Sequence, residues 1–373
     1  MRYYFFIILL LFSSLLYSQQ LDSLSLREER LALGNKNHKA FFSPVLLYAP
    51  EESIILGGGG FLLFRPGHED SLTRTSNVQG SVLYTFKHQL ITEPNYTIFT
   101  QEEKFLFKGT AGFSRFPIYY YGIGNNTLLK NQELISYDII MNDHTIFYKL
   151  KRYMYAGLGF RYYHMWDVNN SGSEGIMEQT KPSGYNGYTA SGITLASTFD
   201  SRNNVVTTSK GTNINISHTF HGHAFGGDFN FMRTLIDARK FYSLFNKSNK
   251  NVLAIQVYTL FTAGTVPFNE LGQMGGNMIM RGYYLGRFRD KDLAATQVEY
   301  RRRLTTRFGI VFFAGVGEVA PRLGYFNFYN TKASYGGGLR FRVSKKHNVN
   351  LRADYGMDNR GQGLWYFAIA EAF

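Results

Sequence analysis

From Phe41 onward, apolar and polar residues alternate in short runs, separated by clusters of Gly, Asn, Asp and Lys. A period of two over strand-length runs, punctuated by turn residues, is the pattern of hairpin-connected β-strands. About sixteen such runs can be counted, near 40–49, 53–65, 76–88, 90–101, 104–116, 134–149, 152–167, 187–200, 211–224, 229–243, 251–264, 293–304, 307–319, 332–344, 348–357 and 363–373. The alternation is sharpest late in the chain. Val298 and Tyr300 oppose Gln297, Glu299, Arg301 and Arg303; Leu339, Phe341 and Val343 oppose Arg340 and Arg342; Val349, Leu351, Ala353 and Tyr355 oppose Asn350, Arg352 and Asp354. A soluble sandwich and a membrane barrel share this period and differ only in which face is apolar outward.

One long stretch, residues 275–291, interrupts the strand pattern. Loops of this length without a pattern of their own are uncommon in compact domains, and are usually functional or disordered. This one carries Arg281, Arg287 and Arg289 beside Asp290, and large residues after Gly282. Arginine followed by glycine lets the backbone pass close to a wall while a planar fork of donors reaches a carboxylate. The stretch is therefore expected to fold back into a barrel and dock, with Arg281, Gly282, Tyr283, Arg287 and Asp290 as its anchoring residues. By alternation Glu299 and Asp354 point inward, on strands taken as neighbours, and are the expected partners of Arg281.

The N-terminus breaks the tie between sandwich and barrel. Arg2 precedes the apolar run 3–16, and Tyr17-Ser18-Gln19-Gln20 comes after it. This reads as a secretory signal peptide over 1–18, cut after Ser18, then a short periplasmic segment 19–39 and a barrel over 40–373. The apolar run is short for a spanning helix of about 20 residues. An exported chain without another helical span has a closed barrel as its way to satisfy every backbone group in lipid. The predicted fold class is an all-β transmembrane antiparallel barrel with a long extracellular loop in its lumen. The last segment places Trp365, Phe367, Ile369 and Phe373 on one face and ends on an aromatic residue, as a C-terminal barrel signal does; Glu371 interrupts that stripe near the periplasmic rim, where a carboxylate costs little.

Composition narrows the chemistry. With no cysteine, disulfides, thiolate metal sites and Cys nucleophiles are excluded. The formal charge of +13 comes from basic residues spread through the strands; it fits a wet lumen and loops facing anionic lipid headgroups, not nucleic acid. His218, His221 and His223 cluster, yet no acidic residue lies close in sequence to complete a metal site, and His218 falls on the opposite face from the other two. No Gly-x-Ser-x-Gly elbow or triad spacing appears. No cofactor, metal or catalytic residue is expected. The Gly57–Gly60 run, Gly315/Gly317 and Gly336–Gly338 read as places of close packing or bending.

Three motifs then stand in order: Phe199-Asp200-Ser201-Arg202-Asn203-Asn204 with Thr208-Ser209-Lys210-Gly211; Gly275-Gly276 leading to Met280-Arg281-Gly282-Tyr283 and Arg287-Phe288-Arg289-Asp290; and the closing strands from Asn350 to Phe373. Together they resemble the BamA/TamA outer-membrane assembly-factor superfamily, the bacterial surface antigen family, over roughly 40–373. The resemblance marks Asp200, Arg202, Asn203 and Gly211 as its hairpin motif and implies an outer-membrane location in a Gram-negative-type bacterium. It also implies a part in moving or inserting protein or lipid through a weak seam between the first and last strands. In that family the loop arginine pairs with an aspartate in Phe-x-Asp-x-Gly; here Phe313-Ala314-Gly315-Val316-Gly317 puts Gly315 in that place. Periplasmic POTRA modules are expected to be missing, so a protein partner is expected to supply them. The alternatives from other classes are a passive porin-like channel and a structural subunit of an outer-membrane complex.

Overall fold

The computed structural model describes residues 38–51, 53–64, 73–204, 207–245, 250–344, 349–369 and 371–373. Residues 1–18, read as a signal peptide, and most of the segment 19–39 lie outside them; His38 and Lys39 already belong to the first strand.

In order, the strands are β1 (His38–Ala49), β2 (Ser53–Phe64), β3 (Ser76–Thr85), β4 (Leu90–Thr92), β5 (Asn95–Phe99), β6 (Phe105–Arg115), β7 (Ile118–Tyr120), β8 (Glu133–Lys151), β9 (Met154–Asn169) and β10 (Tyr188–Asp200). They continue with β11 (Gly211–His221), β12 (Phe231–Ser243), β13 (Asn251–Gly264), β14 (Gly272–Met274), β15 (Phe288–Asp290), β16 (Asp292–Arg303), β17 (Phe308–Ala320), β18 (Lys332–Ser344), β19 (Val349–Asp358) and β20 (Gly363–Ile369).

Two of these divisions are local breaks. β4 and β5 keep one register against β3 and β6 and part at Glu93-Pro94, because proline has no N–H for the ladder. β7 prolongs β6 along β8 beyond Pro117. β14 and β15 pair with each other inside the long loop, and Arg289 of β15 is bridged to Gly124. Sixteen wall strands remain among the described residues, each antiparallel to the next.

The burial pattern is inverted relative to a soluble sandwich. Val298 is exposed between buried Gln297, Glu299 and Arg301; Leu339 and Phe341 flank buried Arg340; Leu351 precedes buried Arg352 and Asp354; Phe308, Phe312 and Val316 are exposed along β17. Apolar outside and charged inside is stable only where the outer surroundings are hydrocarbon. The architecture is thus an antiparallel membrane β-barrel. Turns at the end where β1 begins are mostly short, while the opposite end carries the loops 121–132, 170–187 and 265–291. Short periplasmic turns and long extracellular loops are the rule for such barrels, so 265–291 is the sixth extracellular loop.

The ends of the sheet meet weakly. β1 is matched to β2 by twelve residue pairs and β19 to β20 by seven, but β1 meets β20 at one, Tyr48 opposite Phe367. Their rings touch edge-on at 6.1 Å. The seam is therefore unzipped along most of its length among the described residues.

The chain end differs from the sequence reading. Trp365 and Phe367 are exposed on the outer face, but Phe373 is buried against Phe241. β20 stops at Ile369, so alternation no longer fixes the direction of the last residues; the side chain of Ile369 itself lies outside the described residues. Arg301 donates to the Phe373 main-chain oxygen at 2.6 Å. Glu371 is likewise turned inward, accepting from Arg340 (2.7 Å) and Asn350 (2.8 Å). The inward charges capture the tail.

Candidate functional site: a loop docked in the lumen

Most of the loop 265–291 is buried, with Thr265 and Met278 exposed. Its neck is a small ribbon, β14 on β15, too short for its alternation to show in the sequence. Its tip lies against the wall formed by β16 to β19. Arg281 is fully buried and donates to Asp354 Oδ2 at 2.6 Å and to Glu299 Oε2. Its guanidinium sits 3.6 Å from the centre of the Phe313 ring, a cation–π contact. Glu299 and Asp354 are not on neighbouring strands: β16 and β19 are separated by β17 and β18, and the arginine fork bridges them over Phe313.

The wall is cut away to allow this. A Cβ on Gly338 would lie 1.9 Å from Asp354 Oδ1, so the bare backbone of β18 leaves the carboxylate room to reach inward. Gly356 on β19 and Gly282 in the loop face each other backbone to backbone: a Cβ on Gly356 would be 2.7 Å from the Arg281 carbonyl carbon, and one on Gly282 2.6 Å from that of Met357. Gly282 also has φ of +114°, a region that favours glycine. Just before it Met280, fully buried, holds φ of +56°, a strained conformation for a non-glycine residue that persists only under surrounding constraint. Gly315, where the resemblance expects an aspartate, instead makes room for the Met280 sulfur, 3.0 Å from where a Cβ would stand.

More arginines share the site than the sequence reading named. Arg340 donates to Asp354, as does Arg352 at 3.3 Å, and Arg301 donates to Glu299 at 2.6 Å. Four guanidiniums, on Arg281, Arg301, Arg340 and Arg352, face three carboxylates, on Glu299, Asp354 and Glu371. The inward alternation of Arg301, Arg340 and Arg352 was visible in the sequence, but not their convergence across separate strands.

A second grip has the opposite polarity. Here the loop supplies the acid: Glu270 accepts from Arg161 of β9 at 2.7 and 3.2 Å and from the Tyr188 hydroxyl at 3.3 Å. His221 Nε2 lies 3.2 Å from Arg161, and its ring stacks on Phe231 at 4.0 Å. His218 pairs instead with Thr234, and the His223 ring with the Gly227 carbonyl, so the three histidines part company. Neck and tip thus hold opposite walls, and the loop spans the lumen. Val266, Phe268 and Leu271 add an apolar core with Tyr120, Tyr137 and Tyr188.

The other residues expected at the loop and the hairpin have separate places. Tyr283 donates its hydroxyl to Ala333 O and Asn359 Oδ1, both at 3.0 Å. Arg287 clasps Thr127 through two 2.8 Å bonds and lies 4.7 Å from the Tyr121 ring. Asp290 uses its carboxylate on the Lys291 N–H (2.8 Å) and takes no part in holding Arg281. At the periplasmic end, Arg202 makes a two-bond fork to Asp200 (2.9 and 2.8 Å) and Asn203 accepts the Ser209 and Lys210 N–H groups at 3.1 Å. Gly211, with φ of +113°, closes that turn against Ser201.

Residues 92–373 match the Omp85 superfamily domain. The chain belongs to the Omp85 superfamily. Among solved structures, this Omp85 barrel is similar to BamA from Haemophilus ducreyi lacking POTRA domains 1-3, with a TM-score of 0.60 and 13% identity over 90% of this chain and 70% of that one. CdiB from Acinetobacter baumannii gives 0.56 and 11% over 90% and 60%, and CdiB from Escherichia coli 0.55 and 12% over 93% and 71%. At these identities the likeness is one of fold. No curated protein matches in sequence. Superfamily membership and the inverted burial pattern make the chain an outer-membrane protein of a Gram-negative-type bacterium.

Two further contacts tie the Omp85 loop tip to both edges of the seam. The Gly282 N–H donates to the Tyr366 hydroxyl (3.1 Å), which itself donates to Tyr283 O (3.1 Å); Tyr366 is on β20. On the other side, Glu51, in the turn after β1, accepts the Leu285 N–H at 2.8 Å. Burial raises the Glu51 pKa above the ordinary carboxylate value, against the lowering pull of backbone hydrogen bonds, including that from Leu285, and of Lys87. A raised carboxylate pKa adds stability that is present below the unfolded value and is lost as pH rises through the folded value. Glu51→Gln keeps an acceptor and removes the charge. Melting in detergent from about pH 4 to about pH 7 is therefore expected to show wild type losing ground to the variant as pH rises; a constant gap would contradict this origin.

Proposed function

We propose that this chain inserts or moves polypeptide or lipid at the outer membrane, through the seam between β1 and β20, with the docked loop as the latch of that seam. The observation that carries the reading is the pairing of a one-residue seam with a loop tip that touches Tyr366 on one edge and Glu51 on the other. A sheet edge with unpaired backbone groups is a template for an incoming strand. A loop fixed to both edges holds them together at rest; freeing its tip would leave Tyr48–Phe367 as the one paired position of the seam among the described residues. Superfamily membership supports the same role. Protein partners at the periplasmic mouth and anionic lipids around the wall are part of the proposal, and co-purification from detergent extracts with mass spectrometry tests the former.

The absence of native cysteine gives a clean experiment. Facing residues of an antiparallel pair lie about 4.5–5.5 Å apart at Cα, within disulfide range. Tyr48→Cys with Phe367→Cys is expected to cross-link on oxidation. The oxidised protein, reconstituted in vesicles, should lose assisted insertion of a urea-unfolded small β-barrel protein and regain it on reduction. Equal activity in both states would rule out passage through the seam.

A further inference from the structure

The periplasmic mouth carries a charge imbalance that the loop anchor uses only in part. A cavity of about 110 Å³ lies there, bounded by the 201–210 turn, the 304–307 turn and the chain end. Arg301 and Arg340 line it and are paired with Glu299 and Asp354 of the anchor; Lys250, Arg302, Arg303, Arg307 and Arg342 line it too, and Glu371 is the one carboxylate in the lining. That carboxylate is already committed to Arg340 and Asn350. Donors are left over: Arg342 Nε and Arg340 Nη2 are buried without a hydrogen-bond partner among the described residues, and Arg340 is only 5% exposed. Like charges gathered this closely repel, and buried guanidinium donors without an acceptor are costly. An anion in the cavity would remove both penalties at once.

We propose that this mouth is an oxyanion site that takes a phosphoryl group. Guanidinium forks match the paired oxygens of a phosphate, and the hairpin that carries Asn203 contributes neutral polar groups to the same lining. The cavity has room for one tetrahedral oxyanion. The phosphoryl group can come from a phospholipid headgroup of the inner leaflet, reaching past exposed Lys250 and Arg307 at the rim, or from free phosphate.

The test is calorimetric titration of the full chain in maltoside micelles with two probes, inorganic phosphate and dihexanoyl phosphatidylglycerol. At least one is expected to bind saturably. Binding should weaken about tenfold or more in the Arg303→Gln/Arg342→Gln variant, the loss of two charge-assisted contacts, and remain unchanged in Lys151→Gln, an exposed cation outside the lining. Binding of phosphate assigns the free anion; binding of the lipid alone assigns the headgroup. The proposal is overturned if neither probe binds, if the double variant, folded by its gel mobility before and after heating, binds like wild type, if Lys151→Gln weakens binding as much, or if an aspartate-rich peptide outcompetes both probes.

Discussion

Asp354→Ala is expected to destabilise the barrel by about 3–5 kcal/mol, the cost of stripping a partner from buried charge. Asp354 is fully buried and accepts from Arg281, Arg340 and Arg352. Its removal leaves four guanidiniums facing two carboxylates in a largely buried layer. Nothing nearby can take up the excess, because Glu299 and Glu371 are already shared with Arg301 and Arg340. The loss should appear as a fall in the temperature at which the folded gel band disappears in detergent. Asp354→Asn, which keeps oxygen and shape but not charge, should lose nearly as much. If the asparagine variant melts like wild type, the charge balance of this layer is not what holds the wall.

Removing the arginine at the loop tip should behave differently. Arg281→Ala leaves three guanidiniums and three carboxylates, so the wall keeps its balance. The stability cost is the two charge-assisted hydrogen bonds, about 1.5–3 kcal/mol each, and the Phe313 contact, comparable to that of Asp354→Ala. The loop, however, loses its tip anchor and keeps contacts that include the Glu270–Arg161 grip at its neck, the Tyr283, Tyr366 and Glu51 hydrogen bonds, and the Arg287 clasp. Met280 also loses part of the constraint that maintains its strained backbone. In planar bilayers wild type is expected to conduct weakly, and Arg281→Ala to show several-fold more frequent or larger openings, with new protease cleavage within 265–291. Arg281→Lys should resemble alanine more than wild type, because an ammonium cannot span two carboxylates held on β16 and β19. A wild-type barrel that already conducts strongly and steadily would instead mark a passive channel.

Much of the fold was legible because each wall strand answers to two simple requirements at once. Its outer residues meet hydrocarbon and its inner residues meet polar groups, so Val298 against Glu299 or Leu351 against Arg352 writes the strand into the chain. The sixteen runs counted from alternation correspond one for one to the sixteen wall strands, with ends shifted by a few residues. Legibility failed where that requirement lapses. Beyond Ile369 no ladder fixes the chain, and Phe373 and Glu371 turn inward toward the arginines, not to the outer face shared by Trp365 and Phe367. The ribbon of β14 and β15 is too short to show a period. The Arg161–Glu270 grip joins residues 109 positions apart, and no local signal links them.

The sequence by itself determined the period of two, the turn positions, the inward direction of Glu299, Asp354, Arg301, Arg340 and Arg352, and an arginine next to a glycine in the one long interruption. These are local properties, set by the nearest neighbours along a strand. Only the tertiary structure decided which inward charges meet: that β16 and β19, with two strands between them, converge on Arg281 over Phe313, that Tyr366 and Glu51 hold the same loop from both edges of the seam, and that a surplus of arginine collects at the periplasmic mouth. The reason is curvature. Closing a sheet brings side chains together across its lumen by geometry that depends on the number and stagger of all the strands, which no single stretch of the chain encodes.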